Sequence, residues 1–346
     1  MRIGVIPEGT REWLIVRSPH FPLPLFDVMG TMLMSRAVMA GVQLGVFDRL
    51  EEKPQSAAEL AQALSCDSHG IELLLDALQA CRYLEREGSR YRNSPLSRRW
   101  LLSRAPQTLA NFVRFNYDQW EWTSHLENFL QSGQALDIHG TLNEPGWRNY
   151  MLGLRDIASL SAGELAARLR FPAPPRSLLD VGGGHCLYSL VFCRRYPGLR
   201  ATIVDLEPAA RIGQELVAEA GLAARFEFRH GRVTETDLGQ NHDVAFMFNL
   251  VHHLDEKTNR EAFRQIYRAL APRGRLVVSE AFLEERQRQR KDQLGSLLGL
   301  FFGIISRQQT YEFSQVAGWA RETGFREIRR QKLRSAPFAS LLIASK

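Results

Sequence analysis

Two adjacent histidines, His252 and His253, end the apolar run FMFNLVHHL and are the side chains best suited to acid–base chemistry. A histidine has an ordinary pKa of about 6.5 and a phenol one of about 10, so a histidine can take a phenolic proton at neutral pH. Because adjacent side chains at a strand end point to opposite sides, we expect only one of the two histidines to face a substrate. The alternative is that both are only the polar end of a strand.

A second group of residues, in LLDVGGGHCLY (178–188), is typical of a strand that turns through glycines into a helix. Gly182 and Gly184 permit a tight turn and a close approach of ligand to backbone. Asp180 would repel a pyrophosphate but suits a cationic amino group. Asp205 ends the next predicted strand, where a carboxylate can accept hydrogen bonds from ribose hydroxyls. An amino group, a ribose and no phosphate together describe S-adenosylmethionine; the alternative is an α/β domain without a nucleotide.

These residues need a sheet to position them, and the sequence after the linker FPAPPR (171–176) predicts one. Near-continuous apolar strands alternate there with amphipathic helices around 186–196, 208–221 and 257–271. Such strands are buried on both faces, which favours a doubly wound, Rossmann-like α/β domain with a largely parallel sheet. The predicted strands are SLLDVG, RATIVDL, RFEFRHG, DVAFMFNL and GRLVVSEAF.

The chain before the linker has helical periodicity instead. The helices AAELAQAL (57–64) and GIELLLDALQAC (70–81) are followed by a hairpin that turns at Gly88-Ser89, the order of a winged helix. The exposed positions predicted for the second helix carry no Lys or Arg, which argues against DNA binding and for packing or dimerisation. These positions are Ser68, His69, Glu72, Asp76 and Gln79. We therefore predict a helical, winged-helix-like dimerisation domain over 1–110, a helical linker over 111–170 and an S-adenosylmethionine-binding α/β domain over 171–346.

Composition narrows the class of protein further. The chain has 346 residues, and its 44 basic residues are interspersed with 38 acidic ones, a balance that does not require nucleic acid. The longest apolar run, LGSLLGLFFGII (294–305), is too short to span a bilayer. The four cysteines lack the spacing of zinc ligands. We expect a cytoplasmic protein with no metal, no membrane and no nucleic-acid partner.

A winged-helix-like first half joined to a DVGGG domain resembles the class I S-adenosylmethionine-dependent O-methyltransferases of the caffeate/acetylserotonin type, including bacterial natural-product members. The resemblance covers residues 25–346. It implies a homodimer with swapped helices, S-adenosylmethionine as cofactor, and a small aromatic or polyketide-like hydroxyl as acceptor. It also implies that the apolar run 294–305 closes the acceptor pocket; an ordinary core helix is the alternative.

The resemblance also assigns residues to the cofactor and the acceptor. Gly182 matches the first loop glycine and Asp205, in VDLEP, the ribose-binding acid, while Asp180 and Gly184 complete the loop. The helix NYMLGLRDIAS (149–159) matches the one that clamps the acceptor, through Tyr150, Leu154 and Ile157. The remaining cofactor positions are Leu206, Arg232, Val233 and Phe248. Of these, Arg232 departs from the family, which has an acid there for the adenine.

Carried over in the same way, His252 falls on the family's catalytic base, and Glu280 on the glutamate that flanks it. The resemblance therefore implies that His252 faces the acceptor and that His253 faces away from it. His253 and Leu254 replace the family's Asp and Trp. The place of a second acid falls near Gln315, with Glu312 a turn away. Without a second acid, positioning of the reactants would carry more of the rate than base catalysis.

Together these features predict a dimeric O-methyltransferase. The incomplete acid–base set leaves open a C- or N-methyltransferase, or a non-methylating enzyme, on the same scaffold. A winged-helix DNA-binding regulator is the other alternative.

Overall fold

The computed structural model describes residues 4–283, 293–336 and 339–346. The chain divides into two compact units, Met1–Gln119 and Trp120–Lys346. Each unit has its own buried core and is described separately.

The first unit contains helices and a small antiparallel sheet in which β3 lies between β1 and β2. Its helices are α1 (Thr10–Val16), α2 (Leu23–Leu25), a π-helical turn (Phe26–Gly30), α3 (Thr31–Gln43), α4 (Val46–Glu52), α5 (Ala57–Leu64), α6 (Ser68–Ala80) and α7 (Pro95–Trp100). Its strands are β1 (Gln55–Ser56), β2 (Leu84–Glu87) and β3 (Arg90–Asn93). Helix α8 (Ala110–Thr123) runs across the division between the units.

Local sequence explains where α5 and α6 begin. Ser56 and Glu59 form a capping box at the start of α5, each side chain bonding the other residue's backbone N–H. The Asp67 side chain accepts from the Gly70 N–H, 2.7 Å away, and so caps α6. The apolar faces of both helices then bury Leu60 and Leu75 in one core with residues of α3, α4 and β3.

The predicted order of helix, turn, helix and hairpin is therefore present in this unit; the winged-helix assignment stays a prediction. The exposed face of α6 is acidic and locally engaged. Asp76 accepts from the Tyr91 hydroxyl at 2.6 Å and pairs with Arg86 at 3.1 Å. The Arg86 guanidinium on the hairpin is thus directed at a carboxylate of the same unit.

A long apolar helical stretch lies near the start of the first unit. Among the described residues, Leu23–Gln43 is the one stretch long and apolar enough to cross a membrane, judged by length and composition only, and 17% of it is buried. Its exposed side chains include Leu25, Val28, Met29 and Leu33. It overlaps the Met-rich segment 26–50, whose apolar helical pattern is typical of a core or of a partner interface.

The second unit is an α/β domain. Its helices after α8 are α9 (Leu126–Ser132), α10 (Ile138–Thr141), α11 (Glu144–Arg168), α12 (Leu187–Arg195), α13 (Glu207–Glu219), α14 (Glu256–Ala269), α15 (Gln293–Ser306) and α16 (Phe313–Thr323). Its strands are β4 (Ser177–Val181), β5 (Arg200–Asp205), β6 (Phe226–His230), β7 (His242–Phe248), β8 (Leu270–Glu280), β9 (Arg326–Lys332) and β10 (Ser340–Ser345).

The seven strands form one sheet in the order β6-β5-β4-β7-β8-β10-β9. The first five in this order are parallel, and β10 is antiparallel to both β8 and β9. Side chains alternate between the sheet faces, so Leu178 and Leu179 belong to two different cores. The doubly wound sheet is confirmed. The sequence analysis did not predict β9 and β10, the antiparallel pair that completes one edge.

Candidate active site

A cavity of about 380 Å³ opens at the carboxyl ends of β4, β5 and β7 within the second unit. This edge is where doubly wound sheets bind ligands, because the loops that follow the strands meet there. The sequence-predicted residues that line it are Tyr150, Leu154, Asp180, Gly182, Gly184, Asp205, Leu206, Arg232, Val233 and Phe248. Ile157, His252 and Glu280 are not part of the lining.

The glycine turn after β4 leaves room that a side chain would fill. Gly182 has a φ of +72° and Gly184 one of +27°, both in the region that favours glycine. A Cβ on Gly184 would come within 2.9 Å of the Met151 Sδ and 3.3 Å of an Asp205 carboxylate oxygen. The backbone of this turn therefore faces the cavity with no side chain at Gly182 or Gly184 to cover it.

Helix α13 supports the same turn from behind. A Cβ added to Gly213 would lie 2.4 Å from the Gly184 carbonyl oxygen and 2.9 Å from the Cys186 Sγ. Real Cβ atoms do not approach other atoms so closely, so the absence of a side chain at 213 is what lets α13 pack against the turn.

Asp205 ends β5 with both carboxylate oxygens held by backbone groups. Oδ2 accepts from the Gly184 N–H at 2.8 Å, and Oδ1 accepts from the Leu206 N–H at 2.7 Å. Burial raises the pKa of Asp205 to about 6, and the same two N–H groups oppose the rise. Each oxygen keeps accepting capacity for a ligand hydroxyl, because a carboxylate oxygen can accept more than one hydrogen bond.

Asp180 lies in the cavity wall just before the glycines and is 3% exposed. Its Oδ2 accepts from the Ser189 hydroxyl at 2.5 Å. Burial raises the pKa of Asp180 to about 7; the Ser189 hydrogen bond opposes this, and the Asp205 carboxyl adds to it. Two neighbouring carboxyls that resist ionisation in the empty protein form a favourable environment for a cation.

His185, which the sequence analysis did not select, also lines the cavity. Its Nδ1 accepts from the Leu187 N–H at 3.1 Å, so the proton of the neutral ring is on Nε2. Burial lowers the pKa of His185 to about 4, and Arg155 adds to the effect. The ring is a neutral hydrogen-bond donor beside the glycine turn. The sequence signal for His185 was its position directly after the glycines in GGGH, but only glycines were selected there.

The third motif differs in character from the first two. Val233 is buried, whereas Arg232 is exposed at the cavity and pairs with no carboxylate in the described parts of the chain. Phe248 packs edge-on against Tyr188 with ring centroids 4.8 Å apart. In the region where the family has an acid, this cavity is therefore lined by apolar side chains and by the Arg232 guanidinium.

The side chains of His252 and Glu280 form a close hydrogen-bonded pair. The His252 Nδ1–H lies 2.8 and 2.9 Å from the two carboxylate oxygens of Glu280, and both side chains are buried. Since a carboxylate can only accept, the proton of a neutral ring is on Nδ1 and the Nε2 lone pair is free. Within the described residues, no hydrogen bond is made to Nε2.

The expectation that His253 faces away from the pocket is wrong. Val251–His253 forms a short 3-10 helix and not the end of a strand, so the alternation of strand side chains does not apply. His253 lines the cavity, and its ring centroid is only 4.3 Å from that of His252. His252, which was expected to face the pocket, is not one of the lining residues. It stacks on Phe302 of α15, with ring centroids 3.9 Å apart.

Other residues of the cavity wall were also missed by the sequence analysis, among them His139, Trp147 and Met151. Trp147 and Met151 lie on α11 with Tyr150 and Leu154, and helical spacing from those two could have found them. His139 belongs to the four-residue helix α10, and nothing in the sequence around it signals a site. Ile157, one turn beyond Leu154, lies outside the cavity wall.

The place of a second acid is occupied by a helix cap. The Glu312 N–H donates to the Gln315 side chain at 3.0 Å, and the two residues form a capping box at the start of α16. Gln315 therefore has a structural role. The described residues contain no group of three or more His, Cys, Asp or Glu side chains arranged to hold a metal.

A seven-stranded sheet of this order, with a glycine turn after its first strand and an acid at the end of the next, defines a Rossmann-like methyltransferase domain. Family comparison places an O-methyltransferase domain over residues 108–326 and an O-methyltransferase dimerisation domain over residues 26–103. The chain belongs to the S-adenosylmethionine-dependent O-methyltransferase family.

Individual relatives cover nearly the whole chain. It is 26% identical to the 3-hydroxy-5-methyl-1-naphthoate 3-O-methyltransferase of Streptomyces sahachiroi, over 93% of this chain and 94% of that protein. It is 28% identical to the N,N-dimethyltransferase OxyT of Streptomyces rimosus, over 90% and 93%. The crystal structure of human N-acetylserotonin methyltransferase in complex with S-adenosylmethionine matches its fold with a TM-score of 0.83 and 21% identity, over 95% and 98%.

Proposed function

We propose that this enzyme methylates a hydroxyl group of an aromatic, polyketide-like acceptor, with His252 as the general base. The observation that carries the proposal is the buried His252–Glu280 pair, in which Nδ1 is 2.8 Å from a carboxylate oxygen and Nε2 is unbonded among the described residues. A neutral hydroxyl is a poor nucleophile, so a positioned base has a clear task in O-methylation.

The residues of the cavity fit S-adenosylmethionine, which supplies an electrophilic methyl group on a sulfonium when bound. The carboxylates of Asp180 and Asp205 suit its positive charges and its ribose hydroxyls. The bare turn at Gly182 and Gly184 lets the ligand lie against the backbone, where a Cβ at Gly184 would be in the way. His185, whose Nε2–H makes it a neutral donor in the cavity wall, would donate to the carboxylate of the methionine portion.

Glu280 determines which nitrogen of His252 can act as the base. By accepting from Nδ1–H, it keeps the proton of the neutral ring on Nδ1 and turns the Nε2 lone pair into the proton acceptor. When Nε2 takes the acceptor's proton, the imidazolium is stabilised by the adjacent carboxylate. Glu280 itself stays fixed, because its oxygens also accept from the backbone N–H groups of Ala281 and His252.

His253 is less suited to this task although it lines the cavity. Burial lowers its pKa well below the ordinary value, and the nearby His252 and His139 lower it further. No carboxylate hydrogen-bonds its ring within the described residues, so nothing there would stabilise a positive charge on it. The base is therefore assigned to the histidine whose proton has an anionic partner.

The acceptor site is assigned to the apolar and aromatic side of the cavity, lined by Trp147, Tyr150 and Leu154. Ile157, which the family resemblance also implies, would contact an acceptor only beyond this wall. The relative from Streptomyces sahachiroi acts on a hydroxynaphthoate, which supports a flat aromatic acceptor here. Flat rings bury large apolar area against aromatic side chains.

A second candidate is N-methylation. It is favoured by the similarity to OxyT, an N,N-dimethyltransferase that covers nearly the same span of the chain. An amine with its lone pair free needs no base to become nucleophilic, so the His252–Glu280 pair favours the hydroxyl.

The deciding experiment is methyl transfer from radiolabelled S-adenosylmethionine to a panel of naphthols, hydroxyquinones and matched aromatic amines. Labelled methyl ethers from the phenols, with kcat/KM at least tenfold above that for the amines, support the proposal. Label on nitrogen or carbon alone contradicts it. If the protein binds the cofactor in calorimetric titration but transfers methyl to no acceptor, the result points to the non-methylating alternative.

We further propose a cytoplasmic homodimer in which the exposed apolar stretch Leu23–Gln43 is covered by a second copy. The dimerisation domain matched over 26–103 contains most of this stretch. Light scattering should give about twice 39.4 kDa for the purified chain. Leu33→Glu and Val28→Glu should shift it toward the monomer, whereas the exposed Glu87→Lys should not; a monomeric native chain contradicts the proposal.

The absence of a nucleic-acid partner also stays a prediction. A gel-shift assay at low salt decides it, because phosphate binding is strongest there. Retention of a DNA duplex that weakens steeply with added salt would revive the regulator alternative.

A further inference from the structure

A cluster of aromatic and imidazole rings, formed by His139, Tyr150, His253 and Trp147, makes one wall of the cavity beside the His252–Glu280 pair. The His139 ring lies 5.6 Å from Trp147 and 5.1 Å from His253, measured between ring centroids. The His139 Nε2 is 3.4 Å from the Tyr150 hydroxyl. The base needs none of these rings to receive a proton.

The imidazole nitrogens of this wall have few partners. Nδ1 of His253 is buried without a hydrogen bond, and the ring nitrogens of His139 make none in the described residues other than the 3.4 Å contact to Tyr150. A buried polar atom without a partner costs about 1–3 kcal/mol, so folded proteins seldom leave one without a purpose. An apolar residue at 139 or 253 would avoid this cost.

We propose that His139 and His253, together with Tyr150, recognise a second oxygen of the acceptor, a neutral hydroxyl or carbonyl next to the hydroxyl that is methylated. The proposal rests on the proposed function, since it assumes that the acceptor lies beside His252. It makes His139 and His253 specificity-determining residues, while the proton transfer remains with His252.

The chemistry of the wall selects a neutral oxygen. Burial lowers the pKa of His139; Asp137 opposes this, and the neighbouring Arg232 and His252 add to it. Burial also raises the pKa of Tyr150, with a further contribution from Asp205. Two neutral imidazoles and a neutral phenol offer both donors and acceptors, which match a hydroxyl or a carbonyl.

Position supports the same assignment. The ring centroid of His253 is 4.3 Å from that of His252 and 5.1 Å from that of His139. An acceptor hydroxyl within reach of the base therefore has neighbouring ring substituents within reach of this wall. Adjacent oxygens on an aromatic ring are about 3 Å apart, which is a hydrogen-bond length. One flat molecule can therefore present one oxygen to the base and the next oxygen to this wall.

The experiment compares two probes, 2,3-dihydroxynaphthalene and 2-naphthol, which differ by one neighbouring oxygen. Binding of each to the enzyme loaded with S-adenosylhomocysteine is measured by calorimetric titration. We expect the unmodified enzyme to bind the diol about tenfold more tightly, the effect of one or two good hydrogen bonds. His139→Phe keeps a ring against Trp147 but removes both nitrogens. The ratio of the Kd of 2-naphthol to that of the diol should then fall to about one. His139→Gln should restore part of it, and His230→Phe, an exposed control outside the cavity, should keep it.

Each outcome decides the proposal. No preference in the unmodified enzyme, no measurable binding of either probe, or a preference that survives in His139→Phe overturns it. A loss of S-adenosylhomocysteine affinity greater than about threefold in His139→Phe also overturns it, because the ring would then contact the cofactor. A probe preference lost in His139→Phe without methyl transfer to any phenol would reject the proposed reaction and keep the recognition site.

Discussion

The two sides of the cavity are built on different principles. On the acidic side, Asp180 and Asp205 end neighbouring parallel strands, and backbone N–H groups hold the Asp205 oxygens at 2.7 and 2.8 Å. On the histidine side, His139 lies on a four-residue helix and His253 on a 3-10 turn, and ring contacts replace hydrogen bonds. The acidic side is fixed by the sheet, whereas the histidine side depends on how several short elements pack.

This difference separates what the two sides can do. Residues that the sheet holds in place cannot be substituted without damage to the fold. A side built from such residues suits a cofactor that never changes. Short elements held by ring packing can change residue by residue, which suits an acceptor that differs between enzymes. The following predictions test this division, from the largest expected effect to the smallest.

The largest effect is expected at His252. His252→Ala should lower kcat by roughly 10²–10⁴-fold, the usual cost of losing a positioned base. S-adenosylmethionine affinity should stay nearly constant, because His252 is assigned to the acceptor and not to the cofactor. Steady-state kinetics with a phenolic acceptor, and partial rescue at high pH where the phenol ionises, check the assignment. Equal turnover of His252→Ala and His230→Ala would remove the base from the mechanism.

On the acidic side, Asp205→Ala should weaken S-adenosylmethionine by roughly 1.5–3 kcal/mol, the cost of unmaking hydrogen bonds to a charged group. This corresponds to a roughly 10- to 150-fold rise in Kd by calorimetric titration. The exposed Asp237→Ala is a matched control, since it removes an acid outside the cavity. Unchanged affinity in Asp205→Ala would contradict the ribose assignment.

Cofactor affinity should also depend on pH. The pKa values of Asp180 and Asp205 are raised to about 7 and about 6, so both take up protons as the pH falls and then lose their attraction for a cation. The affinity for S-adenosylmethionine should therefore fall roughly tenfold between pH 7.5 and pH 6, at one decade per pH unit below a pKa. Asp180→Asn should flatten the profile. A profile that rises toward acid has the wrong sign for this site.

The smallest effect is expected at Arg232. The guanidinium is exposed at the cavity, so its repulsion of a cationic cofactor is weakened by water and by salt. Arg232→Ala should tighten S-adenosylmethionine by about two- to threefold at low salt, and less as salt is added. A large loss of affinity instead would show that Arg232 binds the cofactor directly, by stacking or by hydrogen bonds.

The same division explains what could be predicted from the sequence. Strand alternation and a glycine turn are local signals, so the five parallel strands, Asp180 and Asp205 could all be located before the structure. His253 was misplaced because a three-residue 3-10 turn has no periodicity of its own. His139 could not be found, because only the packing of the chain brings it beside His253 and Tyr150. The edge strand β9 was missed because charged residues interrupt its pattern. Its neighbour β10 was missed although its sequence, SLLIAS, is an apolar run.

Gly213 bears on how freely this sequence can change. It lies on α13, remote from any proposed chemistry, yet a Cβ there would meet the Gly184 carbonyl oxygen at 2.4 Å. A mutational library that spares only the cavity would therefore lose cofactor binding through Gly213→Ala. Tolerance to mutation along α13 should drop sharply at this one position, and redesign of the glycine turn has to treat Gly213 as part of the site.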